Sequence, residues 1–192
     1  MTEDDAVETF YSEERWQNWL DRLAEEELDP ENEDSARLLL NLQDDAAIAV
    51  AKVLAALEDG RIDEERAVEE IRGVSDIVLA EVSLDDEDKT MLIDGVQTSL
   101  VPVFYAAEEF VVGGVVDGDV AEFIEAAADA EADEDLDAAL GYVVQAGTRV
   151  IGGHHLDIDL VEELEYGLVS EWVNGIDSLQ SAIEDPEVVE ED

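Results

Sequence analysis

Apolar residues in this chain recur three and four positions apart along almost its whole length, with an acidic or hydroxyl residue before each run and a glycine after several. That spacing stacks side chains on one face of a helix, whereas a strand needs strict alternation, which is nearly absent. The chain is therefore read as all-α, a bundle or stack of about six or seven helices, with hairpin-like pairing of neighbours.

Ser12 is placed as the N-cap of a first helix that buries Trp16, Leu20 and Leu23 and ends near Asp29-Pro30. A second starts at Asp34 or Ser35 and runs through Leu38, Leu42, Ala46, Ala49, Val53 and Leu57 to a Gly60 stop. Asp63 caps a third, with Ile62 as a hydrophobic staple and Ala67, Ile71, Val74 and Val78 inside, ending near Val82. The acids at 85–88 open a fourth, which carries Met91, Ile93, Val96, Leu100, Phe104 and Val111 to Gly113-Gly114. Pro102 within it predicts a bend. Asp117 or Asp119 caps a short fifth helix with Val120, Phe123, Ile124 and Ala127, and the acids from Glu131 to Asp135 cap a sixth that reaches Gly152-Gly153. Asp157 or Asp159 caps one last helix through Leu160, Leu164, Leu168, Trp172, Ile176, Leu179 and Ile183. Residues 12–184 are thus expected to form one helical domain between an acidic N-terminal extension, 1–11, and an acidic tail, 185–192.

The charge says where such a bundle works: 55 Asp plus Glu against 9 Lys plus Arg give a formal net charge of −46. At ~0.1 M salt the Debye length is about 10 Å and neighbouring carboxylates repel; at ~1 M it is about 3 Å and the repulsion nearly vanishes. The excess is read as adaptation to concentrated salt, not as a mark of any partner. With 46% apolar residues, the chain still has the material for a core. The absence of Cys excludes disulfides, thiolate zinc sites and cysteine nucleophiles. The acidic start, Met1-Thr2-Glu3-Asp4-Asp5, lacks the features of a secretory signal, so a cytoplasmic location is expected. The longest apolar stretch, Leu100 to Val116, is interrupted by Glu108 and Glu109, so no membrane span is expected.

Four segments, WQNWLDRLAEEELDPENEDSARLLLNLQDDAAIAVAKVLAA, DGVQTSLVPVFYAAEEF, DEDLDAALGYVVQAGTRVI and ELEYGLVSEWVNGIDSLQSA, resemble an uncharacterised conserved protein family of halophilic archaea, over most of the chain. The resemblance implies a haloarchaeal cytoplasm and carries no activity and no functional residue with it.

The candidate sites are few. Nucleotide and nucleophile signatures are missing, no cofactor is expected, and nine scattered cations without a basic stripe disfavour direct nucleic-acid binding. His154, His155 and Asp157 form the only cluster that mixes imidazole and carboxylate, a candidate metal site without diagnostic spacing; a helix end followed by the next cap explains it better. Asp129, Glu131, Asp133, Asp135 and Asp137 alternate like calcium ligands, yet Glu134 and Leu140 stand where an EF-hand needs Gly and Glu. Glu108 falls on an apolar stripe and is read as a surface-edge acid or as one paired with a scarce base such as Arg149, less readily as a general base.

The aromatic start is the most suggestive surface: Phe10, Tyr11, Trp16 and Trp19 crowd together around Arg15, and Trp, Tyr and Arg are typical binding hot spots. The leading functional expectation is a non-enzymatic adaptor or regulator that docks a protein partner through Tyr11, Arg15, Trp16 and Trp19. Self-association through the helix at 160–183 is a further possibility weighed against plain core packing. Two other expectations follow: an acidic regulator that mimics nucleic-acid charge toward a basic partner, and a small metal-dependent or carboxylate enzyme using His154, His155, Asp157 and Glu108.

Overall fold

In a computed structural model the protein is described at residues 9–29 and 31–184. Residues 1–8 of the expected extension, Pro30 and the tail at 185–192 lie outside the described residues. Among the described residues there are eight helices and no strand: α1 (Glu13–Glu25), α2 (Glu33–Glu58), α3 (Glu64–Val78), α4 (Glu87–Gly113), α5 (Val120–Ala132), α6 (Leu136–Ile151), α7 (Ile158–Glu163) and α8 (Leu168–Glu184). The architecture is an all-α bundle.

Most of the starts follow from local capping. Ser12 accepts the amide of Arg15, Asp63 that of Arg66, and Asp86, Asp119, Asp135 and Asp157 do the same for their helices. Three boundaries move. α1 stops at Glu25, short of Asp29-Pro30, with the amide of Glu26 closing on Arg22 O. α2 begins earlier than expected because Asn32 takes the amide of Asp34 at 2.9 Å, while Ser35 is buried and accepts the amide of Asp29. α3 stops at Val78, short of Val82, because Gln97 on α4 donates to the carbonyls of Val78 and Ala80, both at 2.8 Å, and closes the helix end.

α4 continues as helix through Pro102, which is buried between Leu100, Val103 and Phe104. Met91, expected on its buried stripe, is 67% exposed; the stripe begins at Ile93. The single last helix expected from Asp157 onward is instead two, α7 and α8, broken at 164–167. The break has a long-range cause: the amides of Leu168 and Val169 donate to Glu131 Oε1 and Oε2 at 2.9 and 3.1 Å, so a carboxylate at the end of α5 caps a new helix.

α4 occupies the centre, packed against α2, α3, α6 and α8, with the hairpins α2–α3 and α5–α6 on its flanks. Close approach depends on missing side chains. A Cβ at Gly147 would lie 2.6 Å from Ala106 Cβ and 2.9 Å from Ile176 Cδ1, and one at Gly175 would run into the carbonyl of Ser99. Small residues thus let α6 and α8 sit tightly on α4. Trp172 and Leu179, in the 160–183 segment weighed above for self-association, are 7% and 0% exposed within this core. No helix among the described residues is long and apolar enough to cross a membrane.

Candidate functional site

The aromatic start folds inward. Trp16 and Tyr11 are buried in the core at 5% and 8% exposure, and Trp19 is half-buried against it. Three of the four residues of the expected docking face, Tyr11, Arg15 and Trp19, converge on Asp45, a carboxylate in the middle of α2 that is itself buried, while Trp16 packs in the core. Arg15 grips both carboxylate oxygens through Nε at 3.0 and 2.8 Å and through Nη2, and the indole Nε1 of Trp19 donates to Oδ2 at 2.9 Å. The Tyr11 hydroxyl stands near the same carboxylate, short of a well-formed hydrogen bond. Burial, reinforced by the Asp45 charge, pushes its pKa far above the ordinary tyrosine range. The cluster seats α1 on α2, and Lys89 fastens the other end by donating to the carbonyls of Ala24 and Glu26 at 2.8 and 2.6 Å. Sequence reasoning missed Asp45, although the acidic pair Asp44-Asp45 interrupting the apolar run of α2 was a visible signal.

The carboxylate constellation separates as well. Glu108 is paired, as one reading held, but with Arg72 of α3 at 3.1 Å and not with Arg149. The acids between α5 and α6 divide into tasks: Glu131 caps α8, Asp135 caps α6, and Glu134 makes the turn at φ 63°. Among the described residues no three His, Asp or Glu side chains converge as metal ligands, and His154, His155 and Asp157 are not so gathered.

What the structure does gather around the histidines is a pocket of about 140 Å³ lined by Asp119, Val120, Ala121, Arg149, His154, His155, Asp157 and Leu160. Its local geometry follows from the sequence. α6 ends with Gly153 at φ 100° while His154 donates its amide to Arg149 O at 3.0 Å, a closing turn that glycine permits and that brings the histidines back beside Arg149. Leu156, 1% exposed, is then pinned on both backbone groups by Gln180: its amide donates to Oε1 at 2.6 Å and its carbonyl accepts from Nε2 at 3.2 Å. On the facing side Asp119 caps α5, so Val120 and Ala121 bring that helix's amide end to the pocket wall.

Arg149 holds the three walls together. Its Nη1 donates to the carbonyl of Val116 at 3.2 Å and its Nη2 meets His154 Nδ1 at 3.4 Å, while Nε is buried without a hydrogen-bond partner. Arg15, Arg61, Arg66 and Arg72 each pair with a carboxylate; Arg149, the only Lys or Arg after Lys89, has none among the described residues, as is also true of Arg22 and Lys89, but it is the cation that lines this pocket. Leaving a donor of a charged group buried and unused costs about 1–3 kcal/mol or more. The two carboxylates on the pocket wall are turned to backbone instead, Asp119 to the amide of Ala121 at 2.9 Å and Asp157 to that of Asp159 at 3.0 Å. The arrangement offers donors, namely a guanidinium, imidazoles and a helix N-terminus, and suits an anionic group.

A family model described as an uncharacterised protein conserved in archaea, DUF2150, matches residues 9–192. The chain belongs to this family. The match begins close to Tyr11 and spans both the Asp45 cluster and the Arg149 pocket, so both lie within what the family model covers. No curated protein and no solved structure shows significant similarity to the chain.

Proposed function

We propose that this protein is a non-enzymatic helical interaction protein, an adaptor or regulator of a salt-rich archaeal cytoplasm, and that it recognises its partner at the Arg149 end of the bundle. The observation that carries this is the Arg149 guanidinium: in a chain of net charge −46 it has no carboxylate partner among the described residues and faces a pocket. A cation that lines a pocket while the carboxylates beside it are turned to backbone amides has a use other than pairing inside its own fold.

Two further observations support a binding role over catalysis. Glu108, the acid with the best claim to be a general base, is engaged by Arg72 and is not among the residues that line the pocket with His154, His155 and Asp157. The residues first suspected of docking a partner, Tyr11, Arg15, Trp16 and Trp19, are tied into the seating of α1. The test is copurification from a halophilic archaeal host at molar salt, comparing the native protein with Arg149→Gln and Trp19→Phe. A partner retained by the native chain and Trp19→Phe but lost by Arg149→Gln is expected. Identical partners on all three would overturn the assignment of the site.

A further inference from the structure

We infer that the Arg149 pocket is a receptor for a single phosphoryl-type oxyanion, an inference that rests on the same site being the protein's recognition end. Three features of the pocket select that chemistry.

The first is the source of the donors. They come from three separate elements: the first turn of α5 at Val120, the guanidinium of Arg149 at the end of α6, and the imidazoles of His154 and His155 in the connection to α7. The amide of Ala121 is taken by Asp119, whereas Val120, one residue earlier, has an amide that the helix itself leaves without an acceptor. A tetrahedral oxyanion accepts hydrogen bonds from several directions at once, while a planar carboxylate meets its donors best in one plane.

The second is size. About 140 Å³ is well below the 300–1,000 Å³ typical of sites for drug-sized molecules, so the pocket admits one oxyanion group and excludes the bulk of a nucleotide. The third is the charge of Arg149, whose Nη groups reach Val116 O and His154 Nδ1 while no carboxylate among the described residues pairs with it. An oxyanion beside the guanidinium supplies that missing counter-charge.

The carboxylates nearby do not close the site to an anion. Asp119 and Asp157 accept backbone amides, and Glu184 stands beside His155 at 3.7 Å rather than beside Arg149. The charge of −46 repels an anion only over the Debye length, which falls to about 3 Å at ~1 M salt, whereas the contact hydrogen bonds persist. The oxyanion can be free phosphate or the phosphoryl group of a small ester.

Calorimetric titration of the full chain in molar KCl with inorganic phosphate, glycerol phosphate and acetate tests this. Saturable one-site binding of a phosphate probe is expected, weaker for acetate, with a loss of about tenfold or more on Arg149→Gln and partial recovery with Arg149→Lys. Tighter binding of glycerol phosphate than of phosphate identifies an ester as the source, and the reverse order identifies the free ion; either supports the inference. Should Arg149→Gln lose its native helical circular dichroism, the double variant His154→Gln/His155→Gln carries the same expectation from two exposed positions. Absence of saturable binding to the native chain, or undiminished binding by folded variants, overturns the inference. If partner capture still depends on Arg149 while no phosphate probe binds, only the ligand chemistry is wrong and the recognition site stands.

Discussion

Gly175 of α8 lies against the carbonyl of Ser99 on α4 so closely that a Cβ at that position would run into the oxygen. The contact is backbone on backbone, with no flexible side chain to yield. Gly175→Ala is therefore expected to destabilise by about 1–3 kcal/mol, even though alanine is the better helix former by up to ~1 kcal/mol. The same substitution at Gly73 and Gly141, exposed in helices and with nothing within 4 Å of an added Cβ, should stabilise by about 0.5–1 kcal/mol. Denaturant unfolding of the three variants at fixed molar salt decides the matter; equal effects at all three positions would refute the packing of α8 on α4.

Glu131 is the device that makes α8 a separate helix. Replacing it with Ala removes the acceptor from the amides of Leu168 and Val169 and should cost about 1–2 kcal/mol, the upper range for a lost N-cap. Gln retains one acceptor oxygen and should lose less. Hydrogen exchange gives the local readout, with protection lost first at Leu168 and Val169 in Glu131→Ala. If those amides stay protected, the cap is not what starts the helix.

Glu134 closes the turn after α5 in the left-handed region at φ 63°, while Asp135 donates to Ala130 O at 2.9 Å and Glu134 itself donates to Glu131 O at 3.0 Å. Gly60 and Gly153 hold the comparable position after α2 and α6. A non-glycine residue there is strained, so Glu134→Gly should stabilise by about 0.5–1 kcal/mol and raise Tm by roughly 2–4 °C per kcal/mol for a chain of this size. A lowered Tm would show that the carboxylate contributes something the geometry does not.

How much of this was legible in the sequence depends on how local each cause is. The third helix was read almost complete, because Asp63, Ile62 and the stripe Ala67, Ile71, Val74, Val78 all lie within one continuous segment, and the structure buries those four and packs Ile62 against them. Trp16, Leu20 and Leu23 were found by the same periodicity. The α7–α8 break was not, since its cause is Glu131, 37 residues before Leu168. Nor was the partner of Glu108, because α3 and α6 both pack against α4 and only the three-dimensional arrangement brings Arg72 rather than Arg149 to that carboxylate. In the pocket, His154, His155 and Asp157 attracted notice by proximity in sequence, while Asp119, Val120 and Leu160 join them only through the packing of α5 and α7 beside the end of α6.

Asp44 and Asp177 give the fold a pH dependence with a definite sign. Burial raises both pKa values; Ser178 opposes this at Asp44, while at Asp177 the Glu184 charge adds to it and His155 opposes it. The folded state therefore binds protons that the unfolded chain has released, in the window from the ordinary Asp value up to the raised one. Stability then falls as pH rises through that window and recovers on acidification toward it. Asp177→Asn should raise Tm at neutral pH and flatten the profile between neutrality and the carboxylate range. Thermal melts across that range would contradict this if the variant were less stable than the native protein at neutral pH.

The salt dependence should be larger than any of these single-site effects. With 55 acids and 9 Lys plus Arg, most carboxylates have no cation to pair with, whatever the packing. Some of the cations are also turned to other tasks, Lys89 to backbone carbonyls and Arg22 to the Trp19 ring at 5.7 Å. Unscreened, the remaining charges repel one another more strongly in the compact fold than in the expanded chain, so low salt favours unfolding. Screening to a Debye length of about 3 Å at ~1 M removes most of that difference, and molar KCl also strengthens burial of the alanine- and valine-rich core. Circular dichroism and unfolding midpoints measured from dilute buffer to molar KCl should show helix and cooperativity gained together as salt rises. A chain that unfolds cooperatively with the same midpoint in dilute buffer would mean that the carboxylates are balanced by something other than salt.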